Sequence, residues 1–149
     1  MKIYIGSDHA GFDLKEELKK FLGTLGHEVI DCGPREYDPK DDYPFYILPV
    51  AKLVAEDPKH TRGIVLGASG EGEAIAANKI QGIRAAEYYG GTLEIVKLSR
   101  EHNDANVLSL GAKFLNFEEA SKAVKLWLET DFSGETRHIR RNKEIDDLA

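Results

Sequence analysis

The chain has 149 residues, of which 42% are hydrophobic and 31% charged, which is typical of one folded globular domain over residues 1–149 rather than a disordered or fibrous chain. Its net charge of −6 argues against nonspecific binding to nucleic acid or to an anionic membrane, because both need a positive surface. The sequence has a single cysteine, no signal-peptide pattern and no apolar run near the ~18 residues of a membrane span. We therefore expect a soluble, cytoplasmic protein.

The first half of the chain alternates strand and helix patterns. A short β-prone run at residues 2–5 precedes an amphipathic helix pattern over residues 11–25 and a second strand pattern over residues 27–32. A polar stretch rich in Asp and Pro over residues 35–44 predicts the longest loop. A helix is expected from about residue 45 to residue 56, with Pro49 kinking it or marking a late start.

The second half repeats this alternation. Strand patterns lie at residues 63–66, 83–86 and 107–110, and helical patterns at residues 73–79, 92–100 and 116–130. Asn116 is a predicted helix N-cap, with Glu119 completing a capping box. The charged tail predicts one more helix over about residues 135–148, which we expect to contact a partner subunit. Alternating strands and helices predict an α/β fold, a three-layer sandwich around a five-stranded parallel sheet.

Polar residues follow the first predicted strand, where ligands bind in open α/β sheets. Asp8 and His9 lie side by side in a glycine-flanked turn, residues 6–11. They suit a polar ligand, but a helix-capping Asp8 and an exposed His9 explain the pattern equally well. The turn lacks the Lys-Ser/Thr pair of a P-loop, which argues against a nucleotide triphosphatase.

A glycine-rich turn, residues 67–73 (GASGEGE), follows the third predicted strand. Its three glycines free the backbone to direct N–H groups toward an anion at a helix N-terminus. The turn also carries the hydroxyl of Ser69 and the carboxylate of Glu73, although it lacks the dinucleotide-binding pattern GxGxxG. A flexible connection without a ligand is the alternative interpretation.

Two further polar segments carry candidate functional groups. His102, in the polar stretch of residues 99–106, is suited to proton transfer near neutral pH, unless it merely ends a solvated helix. Arg137 and Arg141 share a helical face, which suits binding of a phosphate dianion. The alternative is a solubilising or partner-binding helix, with Arg140 and Glu144 as an ordinary ion pair. Together these groups indicate chemistry on a small phosphorylated metabolite.

The sequence closely resembles the type B ribose-5-phosphate isomerases of the ribose/galactose isomerase family. The matching segments, in order along the chain, are residues 6–11 (GSDHAG), 42–44 (DYP), 70–72 (GEG), 75–79 (IAANK), 82–85 (GIRA) and 99–108 (SREHNDANVL), with Arg137, His138 and Arg141 in the tail. The resemblance implies a flavodoxin-like fold, interconversion of ribose 5-phosphate and ribulose 5-phosphate through an enediolate, and no metal or organic cofactor. It also implies a homodimer or homotetramer with active sites shared between subunits.

The resemblance also implies the roles of individual residues. Many relatives place a catalytic cysteine where this chain has Gly67, whereas another branch uses a glutamate at the position of Glu73, which is then the base. His102, with Asp8, would open the sugar ring, and Asn103 would orient the sugar. The enediolate would be stabilised by Ser69 and the amides of Gly70, Glu71 and Gly72, and these residues would bind the substrate together with Ala68. The phosphate would be bound by His9, Arg137, Arg141 and Lys113, the last replacing a family arginine.

Three other functions remain open from the sequence. Galactose-6-phosphate isomerases belong to the same family, but they usually consist of two different chains that each lack part of the site. An allose 6-phosphate isomerase is a related possibility. A non-catalytic sugar-phosphate-binding protein is less favoured, because binding alone would not require Glu73, Ser69 and His102 together.

Overall fold

The computed structural model describes residues 1–148, in which strands and helices alternate along the chain as predicted. The strands are β1 (Lys2–Ser7), β2 (Glu28–Asp31), β3 (Thr61–Gly67), β4 (Ala85–Tyr88) and β5 (Val107–Gly111). The helices are α1 (Phe12–Thr24), α2 (Pro44–Glu56), α3 (Glu71–Ala77), α4 (Glu94–Glu101), α5 (Phe117–Glu129) and α6 (Thr136–Leu148). Within residues 1–148, no helix is both long and apolar enough to cross a membrane.

The strands form one parallel sheet in the order β2-β1-β3-β5-β4. This order differs from the flavodoxin order 2-1-3-4-5 only in the exchange of the last two strands. The chain leaves β1 toward β2 on one side and later returns to β3 on the other side of β1. The carboxyl ends of β1 and β3 therefore flank the topological switch point, where open α/β sheets bind ligands.

Two apolar clusters pack on opposite faces of the sheet, which confirms the predicted three-layer α/β sandwich. Alternation along the strands separates them: Ile64 and Leu66 point into one cluster, whereas Val65 points into the other. Helices α1, α4 and α5 cover the first face, and α2 and α3 cover the second. The fully buried Trp127 of α5 is the largest side chain of the first cluster.

The elements lie close to their predicted positions, and the exceptions have local causes. Asn116 and Glu119 form the predicted capping box at the start of α5. Strand β4 begins at Ala85 rather than at residue 83, because the Arg84 amide donates to the Asn106 side chain at 2.9 Å instead of to a neighbouring strand. Ile83 is nevertheless buried in the second cluster, which explains the apolar pattern that placed the strand too early.

All five strands are parallel, so their carboxyl ends lie along one side of the sheet, called here the carboxyl edge, and their amino ends lie along the opposite side, the amino edge. Each helix carries the chain from the carboxyl edge back to the amino edge. The pairs Gly63–Val107 and Gly67–Gly111 lie at opposite ends of the β3–β5 ladder. At ~3.3 Å per residue, these pairs are roughly 13 Å apart. Residues that directly follow a strand therefore lie at the opposite end of the sheet from residues that directly precede a strand.

Candidate active site

The loop between β3 and α3, residues 67–70, is fixed against the end of β5. Its carbonyls at Gly67 and Ala68 accept backbone N–H groups from residues 112 and 113 at 2.8 and 3.0 Å, and the Gly70 carbonyl accepts the Ser109 hydroxyl at 2.6 Å. Gly70 has a φ of +88°, a conformation that a side chain would strain. The glycine-rich turn is therefore held in one conformation by hydrogen bonds and is not a loose connection.

The Glu73 carboxylate lies directly against the backbone of Gly67. A Cβ added to Gly67 would overlap the carboxylate carbon and both of its oxygens. The carboxylate thus occupies the space that any side chain at residue 67 would need. This packing explains why glycine is required at residue 67 when glutamate stands at residue 73.

Burial alters the protonation of Glu73. Only 4% of the residue is exposed, and desolvation raises the pKa of its carboxyl above the ordinary value. A hydrogen bond from its own backbone amide lowers this pKa, whereas the negative charge of Asp8 raises it further. A carboxylate with a raised pKa is a stronger base than an exposed one, which suits proton abstraction from carbon.

Asp8, at the end of β1, caps the adjoining turn of residues 9–11. Its Oδ1 accepts the amides of Ala10 and Gly11 at 2.9 and 3.2 Å, so the capping role considered from the sequence is present. Its charge also acts on Glu73. Asp8 therefore caps the turn and also lies near the candidate base, so its two interpretations from the sequence, as a cap and as a functional residue, are compatible.

His9 is held by Asp41, which lies in the long loop before α2. The Oδ1 atom of Asp41 accepts the His9 backbone amide at 3.1 Å and contacts the ring Nδ1 at 2.7 Å. This hydrogen bond raises the pKa of the His9 imidazole, and the charge of Lys113 lowers it. His9 and Lys113 therefore lie near each other at the carboxyl edge, and Asp41 favours the protonated form of His9, which would bind an anion.

Asp8, His9 and Asp41 also meet the spacing requirement for a metal site. Each offers one ligand atom, and these atoms all lie within 4.8 Å of one another. However, a histidine must be neutral to bind a metal, and the Asp41 hydrogen bond favours protonated His9. The arrangement fits an anion-binding histidine better than a metal ligand.

A second group of candidate residues lies at the amino edge of the sheet. His102 ends α4 and is half-buried, and Asn103 follows it. Arg84, which precedes β4, donates from Nε to the Asn103 carbonyl at 2.9 Å and forms an ion pair with Asp146 of α6 at 3.2 Å. These contacts place α6 beside the turn that contains His102 and Asn103.

The two arginines of α6 are exposed at this edge. Arg137 donates from Nε to Glu135 at 2.9 Å, and Arg141 is exposed one helical turn further along α6. Arg140 forms the predicted ion pair with Glu144 at 3.5 Å. Arg137 and Arg141 are free of the protein core and available to an external anion.

The predicted site residues thus fall into two groups within one chain. The carboxyl-edge group comprises Asp8, His9, Ala68, Ser69, Gly70, Glu71, Gly72, Glu73 and Lys113. The amino-edge group comprises His102, Asn103, Arg137 and Arg141. The sheet lies between them, so one chain does not bring its candidate base and its candidate histidine acid together.

Three residues near these groups received no individual role from the sequence. Asp41 supports His9 from a loop far along the chain, and its acidic surroundings gave no signal that distinguished it. The Tyr43 ring lies over the glycine-rich turn, with its Cζ 3.0 Å from a Cβ added to Gly72. His138 stacks on His102, with ring centroids 4.2 Å apart.

Comparisons with known proteins agree with the fold. The family model described as Ribose/Galactose Isomerase matches residues 3–145. A ribose-5-phosphate isomerase B from Mycolicibacterium paratuberculosis is 44% identical over 149 residues, covering 100% of this chain and 90% of that protein.

Solved structures give the same result. Ribose-5-phosphate isomerase B from Mycoplasma genitalium, solved with bound ribulose-5-phosphate, has a TM-score of 0.94 at 36% identity, covering 99% of this chain and 95% of that one. The Clostridium thermocellum ribose-5-phosphate isomerase B has a TM-score of 0.92 at 43% identity, with 99% and 97% covered.

Proposed function

The chain belongs to the ribose/galactose isomerase family, and from this premise we propose that it interconverts ribose 5-phosphate and ribulose 5-phosphate, with Glu73 as the base. The observation that carries the choice of base is the Glu73 carboxylate, buried against Gly67 beside a fixed loop of backbone amides. Such a group serves proton transfer, since a phosphate-binding protein without catalysis would gain nothing from a buried carboxylate with a raised pKa.

Glu73 moves one proton between two carbons. It removes the C2 proton of the open-chain aldose, and the electron pair forms the C1–C2 double bond of an enediolate while negative charge develops on the former carbonyl oxygen. Return of the proton to C1, with transfer of the O2 proton to O1, gives the ketose. A buried base near the sugar requires no cofactor for this step.

The glycine-rich turn stabilises the charge that develops during this step. The Ser69 hydroxyl and the amides of residues 70–72 lie at the carboxyl edge with Glu73, and hydrogen bonds to β5 fix the turn before substrate arrives. Donors that are already oriented lower the barrier because they need no reorganisation as charge develops. The Ser69 oxygen accepts the Glu71 amide at 3.3 Å, which leaves its own proton free to donate.

His102 and the phosphate ligands act on the two ends of the sugar. His102, with Asp8, protonates the furanose ring oxygen to open the ring, and Asn103 orients the open chain. His9, whose protonated form Asp41 favours, binds phosphate together with Arg137 and Arg141. Lys113 supplies charge near His9 but lacks the planar fork of an arginine.

A complete site requires two copies of the chain in this mechanism. The carboxyl-edge group of one copy faces the amino-edge group of another, because the sheet separates the two groups within one copy. We therefore propose a homodimer, or a dimer of dimers, in which α6 contacts the partner. The cytoplasmic location remains a prediction.

An isomerase assay tests this function. The purified chain, treated with a metal chelator, should form ribulose 5-phosphate from ribose 5-phosphate, and the Glu73→Gln variant should not. A panel including allose 6-phosphate and galactose 6-phosphate, with the same concentrations, identifies the preferred sugar. Faster turnover of a six-carbon sugar would replace the pentose assignment, and binding of all the sugars without turnover would make the protein a sugar-phosphate-binding protein.

A further inference from the structure

The His102 side chain is paired with a second histidine ring. The imidazoles of His102 and His138 stack with centroids 4.2 Å apart and planes inclined by only 11°. His138 lies in the first turn of α6, where its side chain is buried and that of the adjacent Arg137 is exposed. The stack therefore joins the end of α4 to the start of α6.

The two rings differ in exposure. His138 is 4% exposed, whereas His102 is half-buried, so His138 is the inner ring and His102 the outer one. The buried Nε2 of His138 has no hydrogen-bond partner among the residues that the structure describes. A buried polar nitrogen without a partner opposes folding, and an aliphatic side chain of similar volume would avoid that cost. Stability alone therefore does not explain a histidine at this position.

Hydrogen bonds, in addition to the stacked rings, hold α6 against the end of α4. The Ser133 amide, just before α6, donates to the Glu101 carbonyl at 3.1 Å. The Asn142 side chain, within α6, donates to the His102 carbonyl at 3.3 Å. These two hydrogen bonds hold the backbone of α6 against the end of α4 on either side of His138.

The charges around His138 favour its neutral form. Burial lowers the pKa of His138, and the positive charges of His102, Arg137 and Arg141 lower it further, against the opposing charge of Glu135. A neutral His138 ring presents an aromatic face to His102, and an aromatic face attracts a cation.

We propose that His138 is a positioning residue for His102: its ring is the flat support that fixes the direction in which His102 presents its N–H to the sugar ring oxygen. This inference rests on the proposed function, in which His102 opens the ring. His138 does not touch the sugar. Its effect is confined to the ring-opening step, and proton transfer at Glu73 does not involve it.

Two assays separate these steps. Ribulose 5-phosphate cannot form a furanose ring because its C5 hydroxyl is esterified, so exchange of its C1 proton with deuterium oxide reports proton transfer at Glu73 alone. Conversion of cyclic ribose 5-phosphate requires ring opening as well. Both rates are measured on His138→Leu, His138→Phe and His102→Asn, with His60→Leu, at an exposed histidine that pairs with Asp57, as the matched control.

We expect His138→Leu to lower kcat for ribose 5-phosphate by about tenfold or more with little change in KM, because a misdirected acid loses catalysis. Deuterium exchange into ribulose 5-phosphate should stay within about threefold of the unmodified protein, and His138→Phe should restore kcat because it keeps a flat ring. His102→Asn should show the same separation of the two rates, and His60→Leu should change neither.

The outcomes distinguish this inference from the function on which it rests. Equal losses in both assays, or a His138→Phe variant as slow as His138→Leu, would overturn the positioning role. A normal kcat in His138→Leu would do the same while leaving the role of His102 intact. If His102→Asn converts ribose 5-phosphate normally, the proposed ring-opening role of His102 fails, and this inference fails with it.

Discussion

The identity of the base depends on two residues considered together. In the proposed mechanism Glu73 acts from a position that is open only because residue 67 has no side chain, since a Cβ there would overlap the carboxylate. Conversely, Gly67 leaves a gap at the end of β3 that the carboxylate fills. The single thiol of the chain, Cys32, directly follows β2. Burial raises its pKa to about 11, so it stays protonated at neutral pH.

Replacing Glu73 by Gln removes the base and keeps the shape of the side chain. We expect kcat for ribose 5-phosphate to fall by about 10²–10⁴, the usual contribution of a positioned base, with a modest change in substrate binding. Alkylation of Cys32 should leave activity largely intact. Steady-state kinetics on both preparations check this, and an active Glu73→Gln variant combined with an inactive alkylated protein would exclude Glu73 as the base.

The same substitution has a second, independent effect on stability. Burial raises the pKa of Glu73 in the folded protein above its ordinary 4.5. At pH values between 4.5 and the raised pKa, the folded protein therefore binds more protons than the unfolded chain. Stability therefore falls as pH rises through this window. Glu73→Gln should be the more stable protein at pH 7, and the difference should disappear below pH 4.5. Denaturant unfolding at both pH values measures this, and a pH-independent difference would contradict the raised pKa.

We expect Asp41 to set the pH range over which His9 binds phosphate in the proposed mechanism. Its hydrogen bond raises the pKa of His9 above 6.5, so substrate binding should weaken only as pH rises through that higher value. In Asp41→Asn, KM should begin to rise at a lower pH. The control is Asp38→Asn in the same loop, whose carboxylate accepts the Lys40 amide at 2.9 Å. An unchanged KM profile in Asp41→Asn would remove His9 from phosphate binding.

At the scale of elements, the sequence predicted what local periodicity determines. Helices α1 and α5 and the buried strand β3 follow their patterns closely, because each buries one face or both faces in a continuous core. The first residue of the short strand β4 could not be predicted, since the side chain of Asn106, distant in sequence, decides where the strand begins. Contacts between residues far apart in sequence, such as Asp41 and His9, could likewise not be predicted from the sequence.

Helix α6 carries a prediction about phosphate. Replacing Arg137 or Arg141 with Ala should weaken binding of ribose 5-phosphate by ~1.5–3 kcal/mol, the scale of a charge-assisted hydrogen bond. Arg140→Ala is the matched control, because Arg140 pairs with Glu144 on the same helix. Binding of unphosphorylated ribose should be unaffected in all three variants. Equal losses with both sugars would show that these arginines support the structure instead.

At the scale of the whole molecule, exposed apolar side chains accompany both groups of site residues. Phe45 of α2 and Ile75 of α3, near the carboxyl-edge group, are 75% and 63% exposed. Ile139 and Ile145 of α6 are 50% and 53% exposed. Large apolar side chains on a surface favour association, and in the proposed dimer these side chains would be covered by the second copy. We expect at least a dimer by sedimentation at micromolar concentration.

Mixing two inactive variants tests whether each site is built from two copies. Glu73→Gln lacks the carboxyl-edge base, and His102→Asn lacks the amino-edge acid. A mixed dimer contains one site with both groups intact and one site with neither, so co-expression in equal amounts should restore about a quarter of the wild-type activity. Mixing Glu73→Gln with Ser69→Ala, which alter the same group, should restore none, because every mixed site is still damaged. If mixed dimers are detected by mass spectrometry and no activity returns from the first pair, the two groups do not act across the subunit boundary.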